Sequence, residues 1–169
     1  YNTDCQVCYT DEIWIRNGVR VNQMNIHRKY SGDIYLHCLP LCIVSPSSAM
    51  LRVELFDEIG GFDESLPACE DYDLWLRISM KYEFELINEP LIIKKGGHAD
   101  QLSKKYWGMD RFRVVALKKL LDSNSLEGDR LRLTRSELAR KCSVLIKGFV
   151  KRGKKEEELH YRTIIKKYS

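Results

Sequence analysis

The sequence predicts an α/β fold for residues 1–122, a mixed sheet with flanking helices, followed over residues 123–169 by an α-helical hairpin. Three observations predict it. Alternating runs on either side of Asn17-Gly18 read as strands joined by a tight turn, because that dipeptide supplies the positive φ angles a two-residue hairpin needs. Between Ser45 and Leu121, strand-like and helix-like periodicities alternate, as they do when helices cover a sheet. From Leu138 to Tyr168, apolar residues recur at helical spacing on two segments parted by Gly153.

Composition supports a folded chain and narrows its partners. At 44% hydrophobic and 31% charged residues, the 169-residue chain carries enough apolar side chain for a core and no sign of general disorder. No apolar run approaches the roughly 20 residues that span a bilayer, and YNTDCQVCYTDE is no signal peptide. The expected location is therefore the cytoplasm, or the inner face of the membrane as a peripheral protein. The net charge of +4 hides an asymmetry: residues 129–169 hold 13 Lys and Arg against 5 Asp and Glu, and residues 1–128 hold 15 against 19. A basic helical tail of this kind sits in water, on anionic headgroups or on an acidic partner. Nucleic acid is not an expected partner, since no zinc-finger spacing or RNP-like aromatic pattern accompanies the charge.

Taken in order, the first element is the hairpin of Glu12–Arg16 and Val19–Asn22, with Asp11 and Glu12 at its entrance. Ile34 to Leu39 reads as a short helix ended by Pro40, after the basic cluster His27-Arg28-Lys29. Both His27 and His37 read as packing or surface residues. Ser45 to Ser48 lead into a strand at Ala49-Met50-Leu51, and Arg52 to Ile59 reads as a helix stopped by Gly60-Gly61. Asp71 to Tyr82 is helical, with Leu74, Trp75, Ile78 and Tyr82 on one face. Two strands follow, Phe84–Ile87 and Leu91–Lys94, separated by Asn88-Glu89-Pro90, and then a cationic turn from Lys94 to His98. Lys104 to Leu121 has helical periodicity. Thr134-Arg135-Ser136-Glu137 has capping-box spacing and is expected to open the next helix, and the last runs from Lys154 to Tyr168.

The six cysteines allow a metal reading and favour another. Cys5 and Cys8 form a CxxC, and Cys38 and Cys42 a CxxxC, as a four-thiolate zinc site would require. Yet Cys5 to Tyr9 reads as a strand whose alternate residues face opposite ways, and Cys38 to Cys42 as an apolar connector, so free, mostly buried thiols are expected. Cys69, beside Glu70, is a thiol whose modification would report access to the acidic cluster.

That cluster is the segment that carries chemistry. In GGFDESLPACEDYDLWLR, Gly60 to Arg77, a glycine-led turn bearing Asp63 and Glu64 precedes Glu70, Asp71 and Asp73 in the first turn of a helix. Carboxylates there are stabilised by the exposed amides and the helix dipole, so capping accounts for one or two of them but not for the upstream motif. A hydrolase working with two carboxylates needs them across a cleft, which adjacent Glu70 and Asp71 do not establish.

This run, with CYTDEIWIRNG at Cys8–Gly18, SPSSAMLRVELFDEIGGFDE at Ser45–Glu64 and KKGGHADQLS at Lys94–Ser103, resembles the C-terminal, acceptor-side half of a family 2 glycosyltransferase with the GT-A fold. The resemblance covers roughly residues 5–121. It implies a partial GT-A-type mixed sheet in residues 1–122, with residues 123–169 as a basic helical extension. It implies an enzyme that transfers sugar with inversion from a nucleotide-sugar donor to the hydroxyl of a glycan or lipid-linked acceptor, in glycan or cell-surface polysaccharide synthesis. Asp71 would be the general base, with Glu70 and Asp73 orienting it or the acceptor. Asp11, Ser47, Ser48, Lys95 and Gln101 would contact acceptor or donor, and His98 would help hold a divalent metal, manganese or magnesium.

The nucleotide-binding half with its metal-holding DxD motif is not in this sequence. Asp71 and Asp73 make a literal DxD, but their place after GGFDE identifies them with the acceptor-side motif. The chain is therefore expected to be inactive alone and to bind no metal by itself. The alternative is a noncatalytic interaction module that docks through residues 129–169. An exposed sheet edge can also drive association between copies, which makes a homo-oligomer a candidate state.

Overall fold

Strand β1 (Val7–Arg16) organises the first part of the molecule. The computed structural model describes residues 4–97 and 105–169. β1 pairs antiparallel with β2 (Val19–Val21) through the two-residue turn at Asn17 and Gly18, whose φ angles are 50° and 80°, as the sequence predicts. Its N-terminal end pairs antiparallel with β3 (Ala49–Leu51), and its other edge pairs in parallel with β4 (Glu85–Gly96). The mixed sheet formed by these four strands carries flanking helices, the arrangement expected of a partial GT-A-type fold.

Two departures from the sequence expectation lie in the β1–β4 ladder. The strands expected at Phe84–Ile87 and Leu91–Lys94 are one strand, β4, which continues through Pro90 because the register slips there: Thr10 pairs with Ile87 but Asp11 with Pro90, and Glu12 with Ile92. A proline with no N–H is tolerated at such an irregularity. Lys94 and Lys95, expected in a flexible turn, are consequently held in β4 opposite Trp14 and Ile15. The same slip changes the facing of β1. Val7 and Tyr9 are buried, and strict alternation would bury Asp11 next, but Glu12 takes the inward position with 5% exposure.

Helices α1 (Tyr35–Cys38), α2 (Val53–Ile59) and α3 (Glu70–Ser79) accompany the sheet. α3 buries Tyr72, Leu74, Trp75, Leu76 and Ile78. Trp75 and Tyr9 each meet Phe84 edge-on with ring centroids 6.1 Å apart. The Tyr9 hydroxyl is satisfied inside this core, donating to Tyr30 O at 2.7 Å and accepting from Tyr30 N at 2.8 Å, whereas the buried Trp75 Nε1–H has no partner among the described residues. α2 ends where the sequence places its stop, at Gly60 with φ 85°.

The chain forms two compact units, residues 1–106 and 107–169. The second consists of α4 (Asp110–Asp122), α5 (Gly128–Lys151) and α6 (Lys155–Tyr168). α4 begins after Gly108, later than the helical periodicity from Lys104 suggests; Lys104 itself lies outside the described residues. α5 begins six residues ahead of the expected capping box. Thr134 does not cap: its hydroxyl donates to Arg130 O at 2.7 Å, one turn back, and Glu137 binds Lys141 at 2.9 Å. α6 packs on α5 after a three-residue break at 152–154, the expected hairpin.

Candidate functional site

Asp71 stands at the start of α3, where the backbone arrives in a conformation a side chain rarely adopts. Cys69 precedes the helix with φ 63°, and this left-handed turn delivers Glu70 and Asp71 as its first two residues. Asp71 is half-buried. Its Oδ1 accepts the Tyr72 amide N–H at 2.6 Å, and its Oδ2 lies 3.4 Å from Cys42 Sγ. The Tyr72 hydroxyl donates to Leu39 O at 2.7 Å and so fastens the segment carrying Cys42 to the same helix. Burial first, and then the Asp71 charge, push the Cys42 thiol well above its ordinary value. Cys42 is thus a protonated donor, shared between Asp71 and Val44 O at 3.1 Å.

Of the other two acids, Glu70 is half-buried beside Asp71 and has no hydrogen-bond or ion-pair partner among the described residues. Asp73 is placed elsewhere. At 1% exposure it points into the protein and pairs with Arg77 at 2.8 Å, whose guanidinium also donates to Ile59 O and Gly61 O, both at 2.6 Å. Asp73 therefore clamps the glycine turn to α3, and the expected orienting role beside the acceptor does not fit that position.

A second polar cluster surrounds Glu12. Its carboxylate receives Lys29 Nζ and Trp14 Nε1, each at 2.8 Å, and lies 4.0 Å from Lys94 Nζ. Lys94 also donates to Ser45 Oγ at 2.8 Å. Burial opposes ionisation of Glu12, but hydrogen bonds from Lys29 and Ser45 and the attraction of Lys29 and Lys94 outweigh it, and its carboxyl is held below the ordinary value. His27 lies against Trp14 with ring centroids 4.9 Å apart; burial first, and then Lys94, lower its basicity. Asp11 lines a cavity of about 610 Å³ together with Glu12, Lys29, Arg20, Arg28 and Asn88. Its Oδ1 accepts Glu12 N at 2.8 Å and Gln23 Nε2 at 3.1 Å.

The structure therefore gathers the expected site residues into two groups joined by the segment from Cys42 to Ser45. Asp71 and Glu70 stand at the α3 end, and Asp11 lines the cavity, which neither of them touches. Ser48 is buried and donates to Ser45 O at 2.9 Å, while Ser47 and Lys95 are exposed. His98 and Gln101 lie outside the described residues. Cys69 is buried at 6% exposure, which removes it as a probe of access. All six cysteines are free thiols, and burial pushes those of Cys5 and Cys142 up to about 11 and that of Cys38 up to about 12. Among the described residues no three His, Cys, Asp or Glu side chains converge as a metal site, and no helix is long and apolar enough to cross a membrane.

Sequence reasoning passed over Cys42, Lys29, Gln23, Arg20 and Arg28. Only the basic cluster at 27–29 offered a signal, since nothing local to Cys42 indicates a neighbour 29 residues away.

Comparison with known proteins agrees with the motif. The model for glycosyltransferase like family 2 matches residues 24–120. An uncharacterized glycosyltransferase of Rickettsia felis is 38% identical over 76 residues, which is 44% of this chain and 12% of that protein. Uncharacterized glycosyltransferases of Rickettsia conorii and Rickettsia bellii are each 36% identical, over 76 and 77 residues, again 44% of this chain. The chain thus spans 11 or 12% of the length of these relatives. No solved structure gives a significant match.

Proposed function

Since the chain belongs to the glycosyltransferase like family 2 group, we propose that it supplies the acceptor side of an inverting transferase acting within a longer protein. A sugar would pass from a nucleotide-sugar donor to a hydroxyl of a glycan or lipid-linked acceptor. The observation that carries the reading is Asp71: a half-buried carboxylate on the first turn of α3, held by the Tyr72 amide at 2.6 Å and by Cys42 at 3.4 Å, within the matched motif.

In this reading Asp71 takes the acceptor hydroxyl proton as the oxygen attacks the anomeric carbon. The bond from that carbon to the diphosphate breaks, the configuration inverts, and nucleoside diphosphate leaves. Cys42, Tyr72 and the turn at Cys69 position Asp71, and unpartnered Glu70 is available to the acceptor. The divalent metal implied by the family matches no cluster among the described residues, so no step is routed through it.

The test follows nucleoside diphosphate release from a panel of nucleotide sugars, with manganese and candidate acceptors, in the protein at its natural length. Asp71→Asn should lower turnover roughly 10²- to 10⁴-fold, the contribution of a general base, while the circular dichroism spectrum stays the same. Retained turnover in that variant removes Asp71 from the role.

A further inference from the structure

We propose that the cavity beside the β1–β2 hairpin binds a sugar unit of the acceptor that carries an anionic substituent, a carboxylate or a phosphate ester. The inference rests on the transferase reading above and adds the class of acceptor. At about 610 Å³ the cavity has the size of a small-molecule site.

What its lining groups already bind decides what is left for a ligand. Glu12 and Lys29 are spent on each other at 2.8 Å. Asp11 uses Oδ1 for Glu12 N and Gln23, but its second carboxylate oxygen has no partner among the described residues. The side chains of Asn22 and Asn88 likewise have none. Among the described residues Arg20 has no carboxylate or side-chain hydrogen-bond partner, and Arg28 meets only the Tyr30 ring, 5.4 Å from its guanidinium carbon.

A carboxylate oxygen and two amides are the groups that bind sugar hydroxyls as paired donors and acceptors. Ile13, Val21 and Leu86 give the same cavity an apolar surface for a sugar's C–H face. Two guanidinium groups without acid partners add something that a neutral sugar does not use. Their forks match carboxylate and phosphate oxygens two by two. They leave positive charge at the mouth of this cavity although residues 1–106 as a whole are acidic, with 16 Asp and Glu against 11 Lys and Arg.

Titration calorimetry on the 169-residue chain with glucuronate, glucose 6-phosphate, glucose and inorganic phosphate tests the assignment. Both anionic sugars should bind about tenfold or more tighter than glucose, the effect of one charge-assisted hydrogen-bonded pair. Arg20→Gln with Arg28→Gln should abolish that preference, and Asp11→Asn should weaken all three sugars. Glucose binding as tightly as glucuronate, a preference that survives the double substitution, or no sugar binding at all would each overturn the proposal. Phosphate binding as tightly as glucose 6-phosphate would overturn it too, by showing a bare anion site. These failures leave Asp71-dependent turnover untouched. Conversely, sugar binding of the expected kind with no nucleotide released from any donor would overturn the transferase reading alone.

Discussion

Asp73 and Arg77 show how one side chain of the acidic motif differs from its neighbours. Three acids within four residues look equivalent in sequence, yet the helix turn sends Asp73 inward and leaves Glu70 and Asp71 half-buried. Arg77 bonds Asp73 and two carbonyls at the glycine turn at once, so its removal takes the counter-charge from a carboxylate of 1% exposure and a donor from two carbonyl oxygens. Arg77→Met should cost about 3–5 kcal/mol, the usual loss when one partner of a buried pair is taken away. Urea unfolding followed by tryptophan fluorescence measures it. A loss below about 1 kcal/mol would mean that the clamp contributes no more than an exposed ion pair. At this scale the sequence placed Asp71 on the first turn of a helix but could not tell which of the acids beside it is buried. The sequence put Asp11 and Glu12 together at the hairpin entrance but could not show that Glu12 is the buried one, because that depends on a register slip at Pro90, 78 residues further on.

At the level of elements, local chemistry was a good guide wherever one short segment decides the outcome. Asn17-Gly18 makes the hairpin and Gly60 stops α2, and α3 buries the expected Leu74, Trp75 and Ile78, although it ends at Ser79, short of Tyr82, and buries Tyr72, Asp73 and Leu76 as well. Two misreadings show where local chemistry falls short. Asn88-Glu89-Pro90 looks like a break, but β1 tolerates the extra residues as a bulge and β4 runs on. Thr134 to Glu137 looks like a helix start, but Glu137 is drawn to Lys141, which is fully buried and also faces Asp110 of α4 at 3.4 Å. The GG turn before α3 gives a sharp test of an element boundary. Both glycines have positive φ, 85° at Gly60 and 66° at Gly61, so alanine at either incurs about 1–2 kcal/mol of left-handed strain. A Cβ on Gly60 would meet open space, but one on Gly61 would lie 3.2 Å from two atoms of the Phe56 ring. Gly61→Ala should therefore lower stability by more than Gly60→Ala in urea unfolding, and equal losses would mean that the Phe56 ring moves aside freely.

For the whole molecule, charge is divided as unevenly as structure. Residues 107–169 hold 17 Lys and Arg against 8 Asp and Glu, the reverse of the acidic first unit. Each unit nevertheless has a partly dehydrated carboxylate whose carboxyl is held low by its cationic neighbours. In the first it is Glu12. In the second it is Asp110, where burial opposes ionisation but the Arg113 hydrogen bond and the attraction of Lys141 prevail. Both carboxyls are held below their ordinary values of 4.5 and 3.8, so each folded unit binds fewer protons than its unfolded chain across that range. Their stabilisation is complete above those ordinary values and is lost as the pH falls through the lower folded ones. Thermal midpoints should accordingly hold steady from neutral pH down to about 5 and then fall steeply. Glu12→Gln should lower stability at neutral pH, because Lys29 loses its counter-charge at 6% side-chain exposure, and should flatten the acid decline of the first unit. Asp110→Asn should flatten that of the second. Fluorescence resolves the two, since Trp14 bonds Glu12 directly at 2.8 Å and Trp107 belongs to the helical unit. An acid decline unchanged by both substitutions would place the responsible carboxylates elsewhere.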